Sequence, residues 1–324
     1  MQVSLDQIET AGFKALERHG ADAWQAKEVA QAVRRAEETG NVICGLYYLE
    51  SYCVQLQSGR VDGQVSPQIT RPRPGTVRAD ACFGFAQPAF AKALPEAVAA
   101  ARDSGVAILA VANAHTCTSL GYFTEQIASQ GLVGLGFTNA SAIVAGPGGK
   151  IPVLGTNPIA MTLPGDGAPA MHADFSTAAV ALGKITMAKA AGETIPLGWA
   201  VDSDGNPTTD PEAALSGALV SAAGPKGWAM GLLVEALAAG LTGSVLSRDV
   251  KGLKAPDGPP HGLGQFYILI DPNAAGGDLA GRFASVAEAV AQEPDVRIPG
   301  VPRRQLDPVD VPDALWARVQ ELAG

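Results

Sequence analysis

The sequence predicts an α/β fold, and three observations support this prediction. The chain has 324 residues, of which 47% are hydrophobic, which is enough to bury a sizeable core. Apolar residues recur at helical spacing near both ends of the chain. Between the ends, helical segments alternate with short apolar runs typical of strands. This order predicts helices packed on a sheet, preceded by a helical region.

Three helices are predicted before residue 60. Ser4 and Gln7 have the spacing of a capping box, and apolar residues on one face follow them. Gly40 suits the end of the second helix. The predicted helices run to about His19, from about Asp22 to Gly40, and from Leu46 to Gly59. Cys44 is therefore expected at the N-terminus of the third helix.

Residues 61–81 are rich in proline, glycine and arginine without an apolar period, which predicts an extended connector. After it we expect helices at 95–103, 121–130, 228–239 and 279–292, and strands at 106–112, 132–138 and 265–271. Apolar residues at helical spacing in 312–322 predict a last helix that docks back on another element. The predicted division is a helical region of residues 1–75, joined by 301–324, and an α/β region of residues 76–300.

Charge and composition argue against several classes of protein. The formal net charge of -9, without a Lys/Arg run, does not fit a nucleic-acid-binding surface. No apolar stretch approaches the roughly 20 residues that cross a membrane, and no secretory signal is evident. We therefore expect a cytoplasmic protein. The four cysteines form no CxxC pair, and His115 near Cys117 is too small a cluster to predict a metal.

Three glycine clusters are candidates for ligand contacts. Gly134-Leu135-Gly136 ends a predicted strand but lacks the following helix and third glycine of a Rossmann fingerprint. Gly146-Pro147-Gly148-Gly149 is typical of a tight turn. Gly155-Thr156-Asn157-Pro158 offers a hydroxyl and an amide beside a backbone that a ligand can approach. The same four residues are equally compatible with an Asx-type turn that satisfies only itself.

Several separate segments of the chain resemble the malate/L-lactate dehydrogenase family, also called the sulfolactate dehydrogenase-like family, over nearly the whole length. The order and spacing of these segments together carry the resemblance. They are Gly131-Leu132-Val133-Gly134 through Phe137-Thr138-Asn139, Gly155 to Ala160, Asp174-Phe175-Ser176-Thr177, Gly183-Lys184-Ile185, Pro196 to Asp202, Thr209-Asp210-Pro211, Pro225-Lys226-Gly227-Trp228 and Ile298-Pro299-Gly300.

The resemblance implies a non-Rossmann nucleotide domain, a homodimer, and an active site partly built from the partner subunit. It also implies a nicotinamide cofactor held by four segments. Carried over, the cofactor-binding residues are Thr116, Cys117, Thr118, Ser119, Leu120, Thr156, Asp174, Phe175, Ser176, Lys226, Arg297, Arg303 and Arg304. The arginines suit a 2′-phosphate, which favours NADPH, with NADH as the alternative. A solvated basic tail is the competing interpretation of these arginines.

The chain departs from the family at the expected proton donor and the expected carboxylate-binding cation. The family has Ser-His-Gly followed closely by Arg, and the aligned residues here are Ile43-Cys44-Gly45 and Tyr48. In the loop before Gly121 the histidine is displaced by one position, so that Thr116 follows His115. A thiol at a helix N-terminus is expected to have a lowered pKa, although a buried cysteine is often only a small hydrophobe.

Three hypotheses account for these departures. The substrate could be a protonated imine, which brings its own proton and needs no strong acid. The chemistry could be preserved on a 2-oxo acid, with Cys44 or His115 as the donor. The chain could be a non-catalytic relative that binds nucleotide and regulates a partner.

The sequence favours hydride transfer between NADPH and a small 2-imino or 2-oxo carboxylic acid, with the imine ahead of a 2-hydroxy acid dehydrogenase. The candidate catalytic residues are Cys44, His115 and Lys184. The candidate substrate-binding residues are Tyr48, Tyr52 and Thr156, since the tyrosines lie on the helix face where the family builds its pocket. Ordinary aromatic packing is the alternative role of these tyrosines.

Overall fold

The computed structural model describes residues 1–302 and 304–324, and within them it contains ten α-helices and fourteen strands. The helices are α1 (Leu5–Arg18), α2 (Ala23–Glu38), α3 (Leu46–Gln57), α4 (Ala86–Ser104), α5 (Gly121–Ser129), α6 (Leu182–Ala191), α7 (Pro211–Ser216), α8 (Pro225–Glu235), α9 (Leu279–Val290) and α10 (Asp313–Ala323). The strands are β1 (Gln2–Val3), β2 (Gln68–Arg73), β3 (Thr76–Asp80), β4 (Val106–Ala114), β5 (Val133–Thr138), β6 (Val144–Ala145), β7 (Pro152–Leu154), β8 (Ile159–Leu163), β9 (Met171–Phe175), β10 (Ala200–Val201), β11 (Pro207–Thr208), β12 (Ala218–Leu219), β13 (Leu263–Ile270) and β14 (Val309–Asp310).

The first three helices begin where their capping residues predict. Ser4 and Gln7 form the reciprocal capping box of α1, and the Asp22 carboxylate accepts from the Gln25 amide at 2.8 Å at the start of α2. One hydrophobic cluster joins these helices to α10 through Trp316. The short pairing of β1 with β14 also ties the two ends of the chain together. The last helix therefore docks back, as the sequence predicts.

A seven-stranded sheet forms the centre of the molecule in the order β2-β3-β4-β13-β5-β8-β9. Only the β3–β4 pair is parallel among these neighbours. The prediction of a connector at 61–81 was wrong for most of that segment, because β2 and β3 form a hairpin at the sheet edge. The predicted boundary at residue 75 falls in the turn between them. The division into two regions stays a prediction.

The glycines of β5 have a packing role. A Cβ atom on Gly134 would lie 3.0 Å from the Thr124 carbonyl oxygen, and one on Gly136 would lie 3.0 Å from the Thr124 methyl group and the Tyr267 ring. The absence of side chains there lets α5 and β13 approach β5 closely. The Gly134-Leu135-Gly136 motif is thus explained by packing. This agrees with the absence of a Rossmann fingerprint in the sequence.

A second sheet of five strands has the order β11-β10-β12-β6-β7. It packs with α6 and α7 around a separate apolar cluster that contains Ile185 and Leu219. The turn 146–149 lies beside it, and the Gly149 amide donates to the Gly146 carbonyl at 2.9 Å as expected for a tight turn. The isolated pairing of Ala178 with Ser221 brings the chain after β9 against the chain before α8.

The helix predicted at 95–103 begins nine residues earlier, at Ala86, with Pro95 inside it. Proline is unusual in a helix interior, but here the helix continues through Pro95. The helix predicted at 228–239 begins at Pro225 and ends in a π-helical turn, Ala236–Gly240. These differences change the lengths of elements and leave their order as predicted.

Candidate active site

Cys44 ends a short 3-10 turn, Val42–Cys44, and lies just before α3 instead of inside its first turn. Gly45 separates the two elements, and a Cβ atom at that position would collide with the Glu37 carboxylate. That carboxylate accepts from the Leu46 amide at 2.7 Å and so caps α3 from the neighbouring helix. The Glu37 carboxylate therefore already occupies the N-terminus of α3. The helix dipole is not available to lower the pKa of Cys44.

The thiol of Cys44 holds its proton firmly. Burial and, less strongly, the negative charge of Asp174 raise its pKa to about 12, against the weaker opposing effects of Asn41 and Lys254. The expectation of a lowered pKa was wrong, because desolvation of the thiol outweighs its position near a helix start. At neutral pH Cys44 is a thiol and a weak acid.

Tyr48 and Tyr52 lie on α3 next to this turn, with ring centroids 5.1 Å apart. The Tyr52 hydroxyl donates to the Thr118 Oγ1 at 3.3 Å. The Tyr48 hydroxyl is buried and has no hydrogen-bond partner among residues 1–302 and 304–324. Burial raises the pKa of both phenols, so both remain protonated donors at neutral pH.

The loop of residues 116–120 runs between α3 and β9. Thr118 has a left-handed φ of 59°, and its hydroxyl donates to the Cys117 carbonyl at 2.7 Å. Asp174 at the end of β9 accepts from the Gly121 amide at 2.8 Å and from the Ser119 hydroxyl at 3.4 Å. These contacts bring two of the predicted cofactor segments, 116–120 and 174–176, to one place beside Cys44.

The segment after β9 contacts the chain just before α8. Ser176 donates its hydroxyl to the Thr156 carbonyl at 3.1 Å, and the Thr177 amide donates to the same oxygen at 3.0 Å. The Ala222 amide then donates to the Thr177 carbonyl at 2.9 Å. Lys226 follows in the first turn of α8 and is exposed, as is the ring of Phe175. The predicted residues Thr156, Phe175, Ser176 and Lys226 thus lie along one continuous edge.

The sequence left two interpretations of the 155–158 cluster, a ligand contact and a self-contained Asx-type turn. The side-chain amide of Asn157 fits neither of them. The Asn157 Nδ2 donates to the Gly231 carbonyl at 3.1 Å and to the Glu235 carboxylate at 2.8 Å. The side chain therefore ties β8 to α8 and is neither self-satisfied nor directed at a ligand.

His115 is fully buried and serves a structural network. Its Nε2 lies 2.6 Å from the Gln55 Oε1, and its ring stacks on His261 at a centroid distance of 4.0 Å. Burial, together with the positive charges possible on His261 and Arg60, lowers its pKa well below the ordinary value. The imidazole is neutral at neutral pH and is held away from solvent, which argues against His115 as the proton donor.

The remaining predicted residues lie at the rim. Lys184 is exposed on α6, and Gly183 before it faces Ile43 of the turn that carries Cys44. The Arg304 guanidinium lies beside Gly40, next to Asn41, whose amide reaches the Ser119 hydroxyl at 3.5 Å. Arg297 is exposed near the end of α9. Arg303 lies outside the described residues.

Sequence reasoning missed Lys254. Its Nζ lies 3.6 Å from the centroid of the Tyr47 ring and 5.1 Å from that of Tyr48. The only signal was a lysine in a loop rich in glycine and proline, which by itself predicts nothing. Its position became visible only when residues far apart in the chain were brought together.

The chemistry of this donor set fits a dinucleotide. The edge offers a helix start with a lysine in its first turn, which suits phosphate. It also offers a carboxylate at Asp174 and a guanidinium at Arg304. Gly227 in the first turn of α8 is required because a Cβ atom would collide with the Ala222 carbonyl. In the described part of the chain, no group of three or more His, Cys, Asp or Glu side chains could hold a metal ion.

Comparison with known proteins settles the family. A model of the family described as malate/L-lactate dehydrogenase matches residues 3–318. The chain belongs to the malate/L-lactate dehydrogenase family. Membership confirms the predicted family and the predicted class of enzyme, an oxidoreductase.

Curated members of the family are similar over nearly their whole length. One is a (2R)-3-sulfolactate dehydrogenase (NADP(+)) of Chromohalobacter salexigens, 36% identical, with 97% of this chain and 95% of the relative covered. Another is a Delta(1)-pyrroline-2-carboxylate reductase of Ancylobacter novellus, also 36% identical, with 99% and 97% covered.

A solved structure of the family, delta1-piperideine-2-carboxylate reductase from Pseudomonas syringae pv. tomato, superposes with a TM-score of 0.92. It is 35% identical and covers 99% of each chain. Sulfolactate dehydrogenase from Methanocaldococcus jannaschii gives a TM-score of 0.88 at 28% identity, with 99% of this chain and 96% of the other covered. The predicted α/β fold of the malate/L-lactate dehydrogenase type is therefore confirmed.

Proposed function

We propose that this protein is an NADPH-dependent reductase of small cyclic 2-imino carboxylic acids. One observation carries the choice of an imine over a ketone: the residue at the family's proton-donor position is a thiol whose pKa burial raises to about 12. A ketone needs a proton delivered as the hydride arrives, whereas a protonated imine already carries it. Relatives named as reductases of pyrroline- and piperideine-2-carboxylate support the same choice.

Different residues of the described chain bind different parts of the cofactor. Lys226 and the start of α8 bind phosphate, loop 116–120 and Asp174 lie along the rest of the dinucleotide, and Arg304 reaches the 2′-phosphate. When bound, NADPH supplies the hydride that adds to C2 of the substrate. NADH is the alternative donor if the contact through Arg304 contributes nothing.

The residues around Cys44 favour a protonated imine. The negative charge of Asp174 acts on the Cys44 position, since it raises the pKa of that thiol. The same charge raises the pKa of an imine bound beside it and so keeps the proton on nitrogen. Tyr48 and Tyr52 are buried beside this position and restrict water there. The chain therefore stabilises the reactive form of the substrate and need not deliver a proton itself.

A turnover screen tests this function. Purified protein is assayed with NADPH and with NADH against pyrroline-2-carboxylate, piperideine-2-carboxylate, pyruvate, oxaloacetate and sulfopyruvate. We expect the two cyclic imines to have the highest kcat/KM. Preferred turnover of sulfopyruvate would contradict the proposal and support the second candidate, a 2-hydroxy acid dehydrogenase, which the similarity to a sulfolactate dehydrogenase favours. Absence of nucleotide binding by calorimetry would instead support a regulatory role.

Replacing Arg304 by alanine is expected to weaken NADPH binding by about 1–3 kcal/mol, the range of charge-assisted hydrogen bonds, and to leave NADH binding nearly unchanged. The reason is that only NADPH carries the 2′-phosphate. Calorimetric titration of both nucleotides measures the difference.

Arg248→Ala is the matched control, because Arg248 is an exposed arginine that contacts only Asp249 among the recorded ion pairs of the described residues. Equal losses of NADPH and NADH affinity in Arg304→Ala would show that Arg304 has a structural role.

The proposal includes a homodimer. The resemblance to the family implies one, and the single chain leaves large apolar side chains of α8 and the turn after it uncovered: Met230, Leu233 and Leu241 are 43%, 53% and 65% exposed. A second copy of the chain would cover them. A cytoplasmic location is also part of the proposal. In the described residues, no helix combines the length and the apolar character needed to cross a membrane.

Light scattering is expected to give twice the mass of one chain. Leu233→Asp should shift the protein toward the monomer, because an isologous interface meets each substitution twice. Val286→Asp, at an exposed valine of α9, serves as the control and should leave the mass unchanged. A monomeric wild type at assay concentration would contradict the dimer.

A further inference from the structure

The loop of residues 251–259, which carries Lys254, is held in place by a buried arginine. Arg60 follows α3 and is fully buried. Its guanidinium donates to the carbonyls of Lys251, Gly252, Ala255 and Pro259 at 3.1, 3.0, 2.7 and 3.0 Å. Four carbonyls on one planar cation fix the path of the loop. Because these four hydrogen bonds use its guanidinium, Arg60 is not available to bind a ligand.

The backbone on both sides of Lys254 is fixed as well. The Gln55 amide donates to the carbonyls of Leu253 and Ala255, each at 2.8 Å. The Ser58 hydroxyl donates to the Pro256 carbonyl at 2.8 Å. Gln55 and Tyr48 lie on α3 and Ser58 is the residue that ends it, so Lys254 is held in register with Tyr48.

The ammonium group of Lys254 points to the aromatic surface at the start of α3. It lies 3.6 Å from the centroid of Tyr47 and 5.1 Å from that of Tyr48, which are cation–π distances. Among residues 1–302 and 304–324, no carboxylate or carbonyl oxygen accepts a hydrogen bond from the Lys254 ammonium group. A lysine has three N–H donors, so this cation can still bind an anion.

A second donor lies beside it. The Tyr48 residue is 8% exposed, and its hydroxyl is buried without a partner in the described chain. A buried hydroxyl without a partner is costly, and a bound ligand would satisfy it. The Lys254 ammonium, 5.1 Å from the Tyr48 ring centroid, and the Tyr48 hydroxyl are two donors that suit a carboxylate.

Two opposite charges act on the pocket at Cys44. Asp174 raises the pKa of the thiol and Lys254 lowers it, so both charges are felt at the same sulfur. A protonated 2-imino carboxylic acid is a zwitterion, with a cationic nitrogen one bond from the carbon that carries its carboxylate. The surroundings of Cys44 offer a negative charge and a positive charge to match these two groups.

We propose that Lys254, assisted by the Tyr48 hydroxyl, binds the carboxylate of the substrate and sets the selectivity of the enzyme for 2-carboxylated imines. This inference rests on the proposed function and adds the residue that recognises the substrate's anionic group. Lys251 on the same loop is not an equivalent candidate, because its ammonium pairs with Asp257 at 3.1 Å.

The experiment compares Lys254→Gln, Lys254→Arg and the matched control Lys251→Gln. For Lys254→Gln we expect KM for piperideine-2-carboxylate to rise about 10- to 100-fold while kcat falls less than about 3-fold, the pattern of a lost uniform binding contact. Lys254→Arg should recover most of the affinity, and Lys251→Gln should behave as wild type. The preference of the wild type for piperideine-2-carboxylate over piperideine, which lacks the carboxylate, should disappear in Lys254→Gln.

Binding provides a readout that does not depend on turnover. Pyrrole-2-carboxylate, a planar analogue that cannot be reduced, is titrated calorimetrically into protein saturated with NADP⁺. We expect it to bind the wild type and Lys251→Gln, and to bind Lys254→Gln at least about 10-fold more weakly.

The two proposals fail in different ways. Equal affinity of wild type and Lys254→Gln for pyrrole-2-carboxylate, or no binding to either, would overturn the role of Lys254. A wild type that reduces only 2-oxo acids would overturn the imine function. In that case a raised KM for pyruvate in Lys254→Gln would still support Lys254 as the carboxylate-binding cation.

Discussion

Cys44→His is expected to raise kcat for the reduction of pyruvate by roughly 10²-fold, within the 10²–10⁴-fold usually contributed by general acid catalysis. Burial raises the pKa of the Cys44 thiol to about 12, so the thiol is a poor proton donor at neutral pH. An imidazole with a pKa of about 6.5 in water donates near the assay pH. The measurement is kcat for pyruvate and for piperideine-2-carboxylate with NADPH.

The same position gives a second test through the pH profile. Imine reduction should fall as pH rises through the pKa of the imine itself, because the unprotonated form is a poor hydride acceptor. Cys44→Ala should leave that alkaline limb unchanged and kcat within a few-fold of wild type, since the thiol ionises only near pH 12. Cys82→Ala, at another half-buried free cysteine, is the control. An alkaline limb that vanishes with the thiol would identify Cys44 as the acid of a 2-oxo acid reductase.

Arg60→Ala is expected to lower the free energy of unfolding by about 3–5 kcal/mol, the usual loss when one partner of a buried charged network is removed. The substitution removes the donors of four hydrogen bonds and leaves four carbonyls of the 251–259 loop without them. Urea unfolding followed by tryptophan fluorescence measures the change.

Arg60→Lys keeps the charge but loses the planar set of donors, so an intermediate loss is expected. The exposed Arg248→Ala should change stability by less than about 0.5 kcal/mol. A loss below about 1 kcal/mol in Arg60→Ala would contradict the anchoring role. We also expect KM for the imino acid to rise in Arg60→Ala, because Lys254 would no longer be held in register.

The helices could be predicted because their signals are local. Ser4 and Asp22 cap the helices that follow them. The apolar residues at helical spacing in 312–322 were sufficient to predict α10 and its docking. The β2–β3 hairpin could not be predicted, since its residues are largely polar and Pro72 and Pro74 argue against a strand. Such a strand is tolerated here because β2 lies at the sheet edge.

The site could be predicted only in part. The segments 116–120 and 174–176 lie against each other, and the assignment of their residues and of Lys226 to the cofactor stays a prediction. The pKa of Cys44 could not be predicted, because it depends on burial and on Asp174, 130 residues later in the sequence. The contacts of Arg60 could not be predicted either, since they join residues 191 to 199 positions apart.

The stacked pair of His115 and His261 makes folding of this enzyme sensitive to protons. In the unfolded chain both imidazoles take up a proton below a pH of about 6.5. In the folded chain burial lowers both pKa values, that of His261 to about 3, so the folded protein stays unprotonated there. Unfolding on the acidic side therefore consumes protons, and His261 alone costs about 1.4 kcal/mol of stability per pH unit between its unfolded-state pKa of about 6.5 and its folded-state pKa of about 3. We therefore expect mild acid to destabilise this protein at the network that holds the 251–259 loop.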